Sequence, residues 1–186
     1  AIFNATGGKT TVIKGDSIVQ TDGGKTNTSN AAGNTVVDGT KSTATTAAGT
    51  TITDGAKTNT STADKNVIDD GAGNTNTSNA KSNTIADPNG NTNAATATNN
   101  TLADNAGNSN VSNATSNSLT DNAGNSNVSN ATSNTLKNAA GDETKVDAKG
   151  ATVTNAAGDT TKVEATGTTV SDAAGNKATF TKDGVT

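Results

Sequence analysis

The chain has 186 residues, with 13 lysine or arginine and 17 acidic residues, and its net charge is −4 at pH 7. Histidine, cysteine, methionine, tryptophan and tyrosine are absent, so there is no disulfide framework, no thiolate metal ligand and no His or Cys to act as base or nucleophile. An acidic chain without arginine, whose aromatic residues are two phenylalanines, also lacks the means to bind nucleic acid. We therefore expect no enzyme, no cofactor and no nucleic-acid partner.

A unit of about 17 residues is repeated eleven times along the chain. The copies begin at Phe3, Gln20, Val37, Thr53, Asp69, Ala86, Ala103, Thr120, Lys137, Thr154 and Ser171. We number the places of the unit 1 to 17; the copies at Val37 and Thr53 lack place 5. A short regular repeat predicts a stacked or fibrous architecture whose function lies in shape and surface. We expect one repeat domain over residues 1–186, with an N-terminal end coil at 1–19, central repeats at 20–170 and a C-terminal end coil at 171–186.

The N-terminal end coil is the most apolar copy of the chain. Ala1 and Ile2 precede the first full copy and, counted backwards, occupy places 16 and 17. The C-terminal copy stops at Thr186, place 16, and so lacks the large apolar residue of place 17. Joined head to tail, Ile2 of one subunit would supply that residue to the next. The predicted subunit interface comprises Ala1, Ile2, Phe3, Val12, Ile13, Ile18, Phe180 and Val185.

Two columns of the central repeats predict the core of a shaft. Place 17 carries a large apolar residue in every complete copy: Val19, Val36, Ile52, Ile68, Ile85, Leu102, Leu119, Leu136, Val153 and Val170. Place 12 is alanine in nine successive copies: Ala31, Ala47, Ala63, Ala80, Ala97, Ala114, Ala131, Ala148 and Ala165. A column held to one small side chain is typical of a crowded interior.

Turns and strands alternate within each unit. Place 5 is glycine wherever it exists, which predicts a turn with positive φ, and places 13 and 14 form a second turn. The intervening segments, such as 160–165 and 168–170, are β-branched and alternating, as in short strands. The fold class is therefore all-β.

Two topologies satisfy this pattern, a parallel β-solenoid and a run of antiparallel hairpins. We favour the solenoid, with about eleven coils that stack end to end, because asparagines recur at places 8 and 15 and their amides would hydrogen-bond along stacked coils. These asparagines are Asn59, Asn76, Asn93, Asn110 and Asn127 at place 8, and Asn66, Asn83, Asn100, Asn117 and Asn134 at place 15. An intertwined trimeric β-fibre is the alternative.

Place 2 is often acidic, as at Asp38, Asp54, Asp70, Asp87, Asp104 and Asp121. This column permits a row of Ca²⁺ ions, although each carboxylate could instead accept hydrogen bonds from its own turn; we expect no metal. Thr-X-Thr triplets such as 26–28 and 58–60 permit an ice-binding face, which alanine, valine and lysine interrupt at place 9. An ice- or calcium-binding β-solenoid is therefore an alternative function.

The segment 175–186 and the turns at 155–159 and 172–176 look like repeats in the passenger regions of trimeric autotransporter adhesins and other bacterial surface tandem-repeat fibres. The resemblance implies an extracellular bacterial fibre for attachment or biofilm cohesion. We expect a secreted structural subunit that polymerises head to tail with itself, without membrane insertion. A shaft fragment of a trimeric adhesin that binds host or abiotic surfaces is the alternative. The start at Ala1 without methionine fits removal of a secretion signal.

Overall fold

The computed structural model describes all 186 residues, and every regular element in it is a β-strand. The chain divides into two compact units, Ala1–Ala97 and Thr98–Thr186, which we call unit 1 and unit 2. The structure has no helix long and apolar enough to cross a bilayer. The all-β prediction is therefore confirmed, and the single-domain expectation stays a prediction.

Unit 1 contains twelve strands. They are β1 Ile2–Ala5, β2 Lys9–Ile13, β3 Ser17–Asp22, β4 Lys25–Asn30, β5 Gly33–Asp38, β6 Lys41–Thr46, β7 Gly49–Asp54, β8 Lys57–Thr62, β9 Lys65–Asp69, β10 Thr75–Asn79, β11 Ser82–Ala86 and β12 Thr92–Thr96.

Unit 2 contains eleven strands. They are β13 Asn99–Ala103, β14 Ser109–Asn113, β15 Ser116–Thr120, β16 Ser126–Asn130, β17 Ser133–Lys137, β18 Glu143–Asp147, β19 Gly150–Thr154, β20 Thr160–Glu164, β21 Gly167–Ser171, β22 Lys177–Thr181 and β23 Gly184–Val185.

Within each unit, consecutive strands pair antiparallel and form a meander of hairpins. Leu119, for example, lies opposite Asn110 on one neighbouring strand and Asn127 on the other. The solenoid is not confirmed: the pairing within each unit is that of the hairpin alternative. Because each copy supplies two strands, equal places in successive copies lie two strands, or about 9.6 Å, apart, too far for amide ladders along one column.

Turns of three lengths join the strands at places 1 to 6. The copies that lack place 5 use two-residue turns, in which Gly39 and Gly55 have φ of 61° and 63°. The copies from Asp69 onwards use five-residue loops, in which the place 5 glycines such as Gly107 and Gly124 have φ of 93° and 92°. The first copy has a three-residue turn after Ala5, and the Gln20 copy keeps place 5 but has a two-residue turn between Asp22 and Lys25. The prediction of positive φ at place 5 is confirmed except at Gly24, where the preceding Gly23 has the positive φ of 61°. The positive φ explains why glycine is retained at these turns.

Neither unit has an interior. No side chain of the chain is buried, and the large apolar residues of place 17 from Val36 onwards are 44% to 56% exposed. The place 12 alanines lie in the turns between strands and are exposed. The expectation of a crowded interior was therefore wrong for both columns: alanine stands at a turn, and the apolar column lies on an open sheet face.

In the first copy the place 17 residue lies on a different face of the sheet from that in the other copies. Val19 lies opposite Val12 and Thr28, whereas Val36 lies opposite Asn27 and Thr43. Since Gln20, and not Val19, is opposite Asn27, Val19 occupies the other face of the sheet from Val36. The place 17 column is thus continuous in the sequence but changes face after its first member.

Candidate interaction surfaces

One face of each unit carries the large apolar side chains, and we call it the front face of that unit; the opposite side is the back face. Strand register places the asparagines of place 8 between the apolar residues of place 17, in one central row. In unit 1 Asn59 lies between Ile52 and Ile68, and in unit 2 Asn127 lies between Leu119 and Leu136. The asparagine and apolar columns, distinct in the sequence, therefore form a single mixed row.

A second row makes the front face of unit 2 strongly apolar towards its end. This row begins with Asn100, Ser112 and Asn117 and continues through Val146, Val163 and Phe180. Together with the central row it forms a contiguous cluster that we call the valine patch. The valine patch comprises Leu136, Val146, Val153, Val163, Val170, Phe180 and Val185, which are 44% to 66% exposed. Exposed apolar clusters of this kind mark interaction sites in soluble proteins.

The back face of unit 2 carries all the charged residues of its strands. Strand alternation and register place them there: Lys137, Glu143, Lys145, Asp147, Lys162, Glu164 and Lys177. Two ion pairs join residues two positions apart on the same strand: Lys145 lies 3.5 Å from Asp147, and Lys162 lies 2.8 Å from Glu164. Strands β18, β20 and β22 are therefore amphipathic, with the apolar side on the front face.

The front face of unit 1 instead bears a row of alternating charge. The two-residue turns set each aspartate opposite a lysine, and the row runs Lys9, Asp22, Lys25, Asp38, Lys41, Asp54 and Lys57. Lys25 lies 2.9 Å from Asp38, and the hydrogen bond to this carboxylate raises the pKa of Lys25. The pairs are exposed, so the row contributes more to register and surface charge pattern than to stability.

The six acidic candidates for a calcium ladder fall into two groups. Asp38 and Asp54 form ion pairs with Lys25 and Lys41. The other four accept hydrogen bonds within their own five-residue loops: Asp70, Asp87, Asp104 and Asp121. No three acidic residues come together in a group that could hold a metal ion.

Asp121 shows the geometry of these loops. Its carboxylate accepts from the backbone N–H of Ala123 at 3.0 Å, from that of Asn125 at 2.9 Å and from the Asn125 Nδ2 at 2.7 Å. The hydrogen bond from the Asn125 side chain is the main cause that lowers the pKa of Asp121, followed by those from backbone amides. The loop therefore stabilises an ionised carboxylate without a cation.

Places 2 and 6 form a reciprocal pair. In two loops the residues are exchanged: Asn138 faces Asp142, and its Nδ2 donates to the carboxylate at 2.7 Å; Asn155 faces Asp159 in the same way at 2.8 Å. The place 6 oxygen also accepts from the next loop, as when Asp142 Oδ1 accepts from the N–H of Ala156 at 2.8 Å. Each five-residue loop thus carries one carboxylate and one amide, in either order, and successive loops are linked on one side of unit 2.

The chain termini form edge strands. β1 pairs with β2 alone and β23 with β22 alone. Ile2, Phe3 and Val185 are 69%, 60% and 66% exposed, more than any other large apolar residue. Of the other predicted interface residues, Ile13 and Ile18 lie opposite one another and are exposed, and Val12 is half-buried beside Ile2. Ile2 shares a face with Val12 and Val19, so Phe3, and not Ile2, continues the front face.

The threonines of the triplets lie on the back face of each unit. In unit 1, Thr51 and Thr60 lie opposite one another at an Oγ1–Oγ1 distance of 3.4 Å. The same central row contains Ala44, Val67 and Ala94, and its equivalent in unit 2 contains Val111, Val128, Lys145 and Lys162. The interruptions read from place 9 thus fall in the middle of the face, and ice binding stays a prediction.

No protein-family model matches the sequence, and no curated protein does. Among solved structures, the TCP domain of SAS-4 (dCPAP) of Drosophila melanogaster, in complex with a proline-rich motif of Ana2 (dSTIL), is similar at 14% identity over 68% of this chain and 90% of that chain, with a TM-score of 0.51. The TCP10 domain of Danio rerio CPAP, in complex with a peptide of STIL, aligns at 12% identity over 95% and 96% of the two chains with a TM-score of 0.47. The first likeness concerns the fold alone. The resemblance to autotransporter adhesins stays a prediction.

Sequence reasoning missed the second row of the valine patch. Val146 and Val163 stand at place 10, where the first and last copies carry Val12 and Phe180 and the remaining copies carry serine, alanine or threonine. The signal was available: within an antiparallel hairpin, places 8 and 17 are opposite, so places 8 and 10 share a face with place 17. A solenoid reading hides this relation because it compares each place only with itself.

Proposed function

We propose that the chain is a structural subunit that assembles head to tail into a secreted, extracellular bacterial fibre of the cell surface or biofilm matrix. The observation that carries the proposal is the state of the two terminal strands, each unpaired on one side and bearing the most exposed apolar residues of the chain. Unpaired strand edges are templates for pairing with another chain unless charge, proline or a cover blocks them. Neither β1 nor β23 contains a charged residue or proline.

The absence of an interior supports an assembly role. A sheet with no buried side chain depends on backbone pairing and cross-strand contacts, each worth about 0.2 to 1 kcal/mol. Adding a subunit extends this pairing and covers the terminal apolar residues. The bacterial, extracellular and adhesive parts of the proposal depend on the resemblance of 155–186 to autotransporter passenger repeats.

The edges can be blocked without disturbing the pairing inside the subunit. Ala1 and Ile13 exchange backbone hydrogen bonds at 2.8 Å, so the N–H groups of Ile2 and Asn4 point away from β2. Thr186 and Thr179 exchange theirs, so the N–H of Val185 points away from β22. Asn4→Pro and Val185→Pro therefore each remove an outward donor from one edge.

The test uses these two variants separately and mixed, with light scattering, sedimentation and negative-stain electron microscopy. Wild-type protein should form filaments whose length rises with concentration, and each variant alone should form none. Mixing should then double the mass of each variant, because the free β23 of Asn4→Pro can pair with the free β1 of Val185→Pro. Normal filaments from either variant, or no mass change on mixing, would refute head-to-tail assembly. A threefold mass in wild-type protein without axial growth would favour the trimeric adhesin shaft instead.

Binding of an extended peptide is a second candidate. A groove of about 410 Å³ on the front face of unit 1 is lined by Phe3, Gln20, Asn27 and Val36, among others. The similar dCPAP domain was solved with a proline-rich motif bound. Panning a peptide library against Val185→Pro protein, in which the groove is unchanged, tests this candidate. A peptide whose affinity falls with Val36→Asp, but not with a back-face change such as Thr35→Asp, would support it.

A further inference from the structure

We propose that the front face of unit 2 packs against the same face of a second copy, with the valine patch of each covered by the other. This interface is separate from the terminal edges, and it would pair two subunits face to face into a two-layer sandwich. The starting observation is the valine patch itself, seven apolar side chains that no part of the described structure covers. They are contiguous across β17 to β23, so a flat partner can cover all of them together.

The area of this face suits a second copy. Strands β13 to β22 have five residues each. At about 4.8 Å between strands and 3.4 Å per residue, they cover roughly 48 Å by 17 Å, or about 800 Å². Two such faces bury about 1,600 Å², the usual size of a specific interface. A short peptide would leave most of this face in water.

Charge decides which face can be covered. The strands of unit 2 place no charged side chain on the front face, because all of theirs lie on the back face. Covering the front face therefore desolvates no ion. The back face would bury seven charges, and the front face of unit 1 would bury its row of alternating lysine and aspartate, so neither is a comparable surface.

The chemistry of the face also sets the orientation of the pair. Its first half is rich in asparagine and serine, as at Asn117 and Ser129, and its second half is the valine patch. Apolar area is covered best when the two valine patches face each other, as a two-fold axis in the interface plane allows. Sheets packed face to face lie about 10 Å apart, with their strands turned by about 30°.

The experiment uses Asn4→Pro protein, so that axial growth cannot contribute to the measured mass. Sedimentation equilibrium should give a dimer. Val153→Lys, which puts a charge in the middle of the valine patch, should raise the dimer dissociation constant at least about 100-fold. Thr154→Lys is the matched control: the adjacent residue lies on the back face opposite Glu143 and should leave dissociation unchanged.

A second measurement keeps the proposal testable if Val153→Lys unfolds the unit. The chain has no cysteine, so Val153→Cys and Thr154→Cys each introduce a single thiol. A short bifunctional thiol reagent should link Val153→Cys chains efficiently and Thr154→Cys chains poorly. A monomer of Asn4→Pro protein at several hundred micromolar, or equal linking of the two cysteine variants, would overturn the proposal. Either result leaves the mixing test of head-to-tail assembly intact, so the two proposals can fail separately.

Discussion

Replacing Gly150 by alanine should destabilise unit 2 more than any other glycine-to-alanine replacement in its turns. Gly150 opens β19 with a φ of 153°, and a Cβ there would lie 1.9 Å from the carbonyl oxygen of Val163 on β20. Normal C···O contacts begin at about 3.3 Å, so the two strands would have to separate by about 1.4 Å. The backbone conformation costs about 1 to 3 kcal/mol, and disturbing two ladder hydrogen bonds adds about 1 to 3 kcal/mol. We expect a loss of roughly 2 to 6 kcal/mol in the free energy of unfolding.

Two control variants separate the causes. Gly175→Ala has the same kind of strain, with φ at 93°, but its Cβ would meet no atom within 4 Å, so it should cost about 1 to 2 kcal/mol. Gly15→Ala has neither problem and should be neutral or stabilising by up to about 1 kcal/mol. Urea unfolding followed by far-UV circular dichroism measures all three. If Gly150→Ala were no less stable than Gly175→Ala, the close approach of β19 and β20 would be refuted.

Three further predictions concern the turns. Asn125→Asp should destabilise unit 2 at pH 7, because it sets two carboxylates face to face. The double exchange Asp121→Asn/Asn125→Asp should restore the urea midpoint, since Asn138 and Asp142 already use that order. A midpoint that the double exchange does not restore would refute reciprocal pairing. The loop asparagines hold the pKa of carboxyls such as Asp121 below the ordinary value, so the contribution of these carboxylates to stability is complete above about pH 4 and is lost as pH falls through the lowered pKa. Urea midpoints should therefore be flat from pH 7 to about 5 and should fall below about pH 4. An unchanged midpoint at pH 3 would contradict this. Asn113→Ala should lower the free energy of unfolding by about 1 to 2 kcal/mol, because Asn113 Oδ1 accepts from the N–H groups of Thr115 and Ser116 at 2.9 Å. Asn113→Asp keeps an acceptor oxygen and should lower it less. Equal losses for the two variants would show that these hydrogen bonds do not stabilise the turn.

The sequence was sufficient for the local structure but not for the direction of pairing. Alternating β-branched segments and strict glycines at place 5 predicted strands and turns, and both are present. The choice between coil and hairpin rested on repeated asparagines, and these suit a meander equally well. In the hairpins Asn127 is flanked by Leu119 and Leu136, so asparagine recurs because its apolar neighbours recur.

Two errors in the predicted core have different physical causes. The alanine column was assigned to an interior because uniform small residues usually indicate crowding, yet Ala114 and Ala131 stand in exposed turns. Val19 was assigned to the face of Val36, but the two-residue turn between Asp22 and Lys25, in a copy that keeps place 5, shifts the pairing by one residue, so that Gln20 and not Val19 lies opposite Asn27. A one-residue change at a turn reverses every side chain of a strand, and the spacing of a repeat does not reveal such a change.

In a sheet without an interior, register has to be fixed somewhere other than in a core. The strand middles vary freely along the back-face row of unit 2, from Val128 through Thr135 to Lys145. The turns do not vary in this way: every five-residue loop of unit 2 keeps one carboxylate facing one amide, with glycine between them. Turn chemistry therefore sets the register, and the faces are free to differ from copy to copy. That freedom explains how one repeat carries an asparagine- and serine-rich front row on β13 to β17 and a valine-rich one from β18 onwards. It also means that substitutions on a face, such as Val153→Lys, can alter association while the strand pairing that the turns specify is retained.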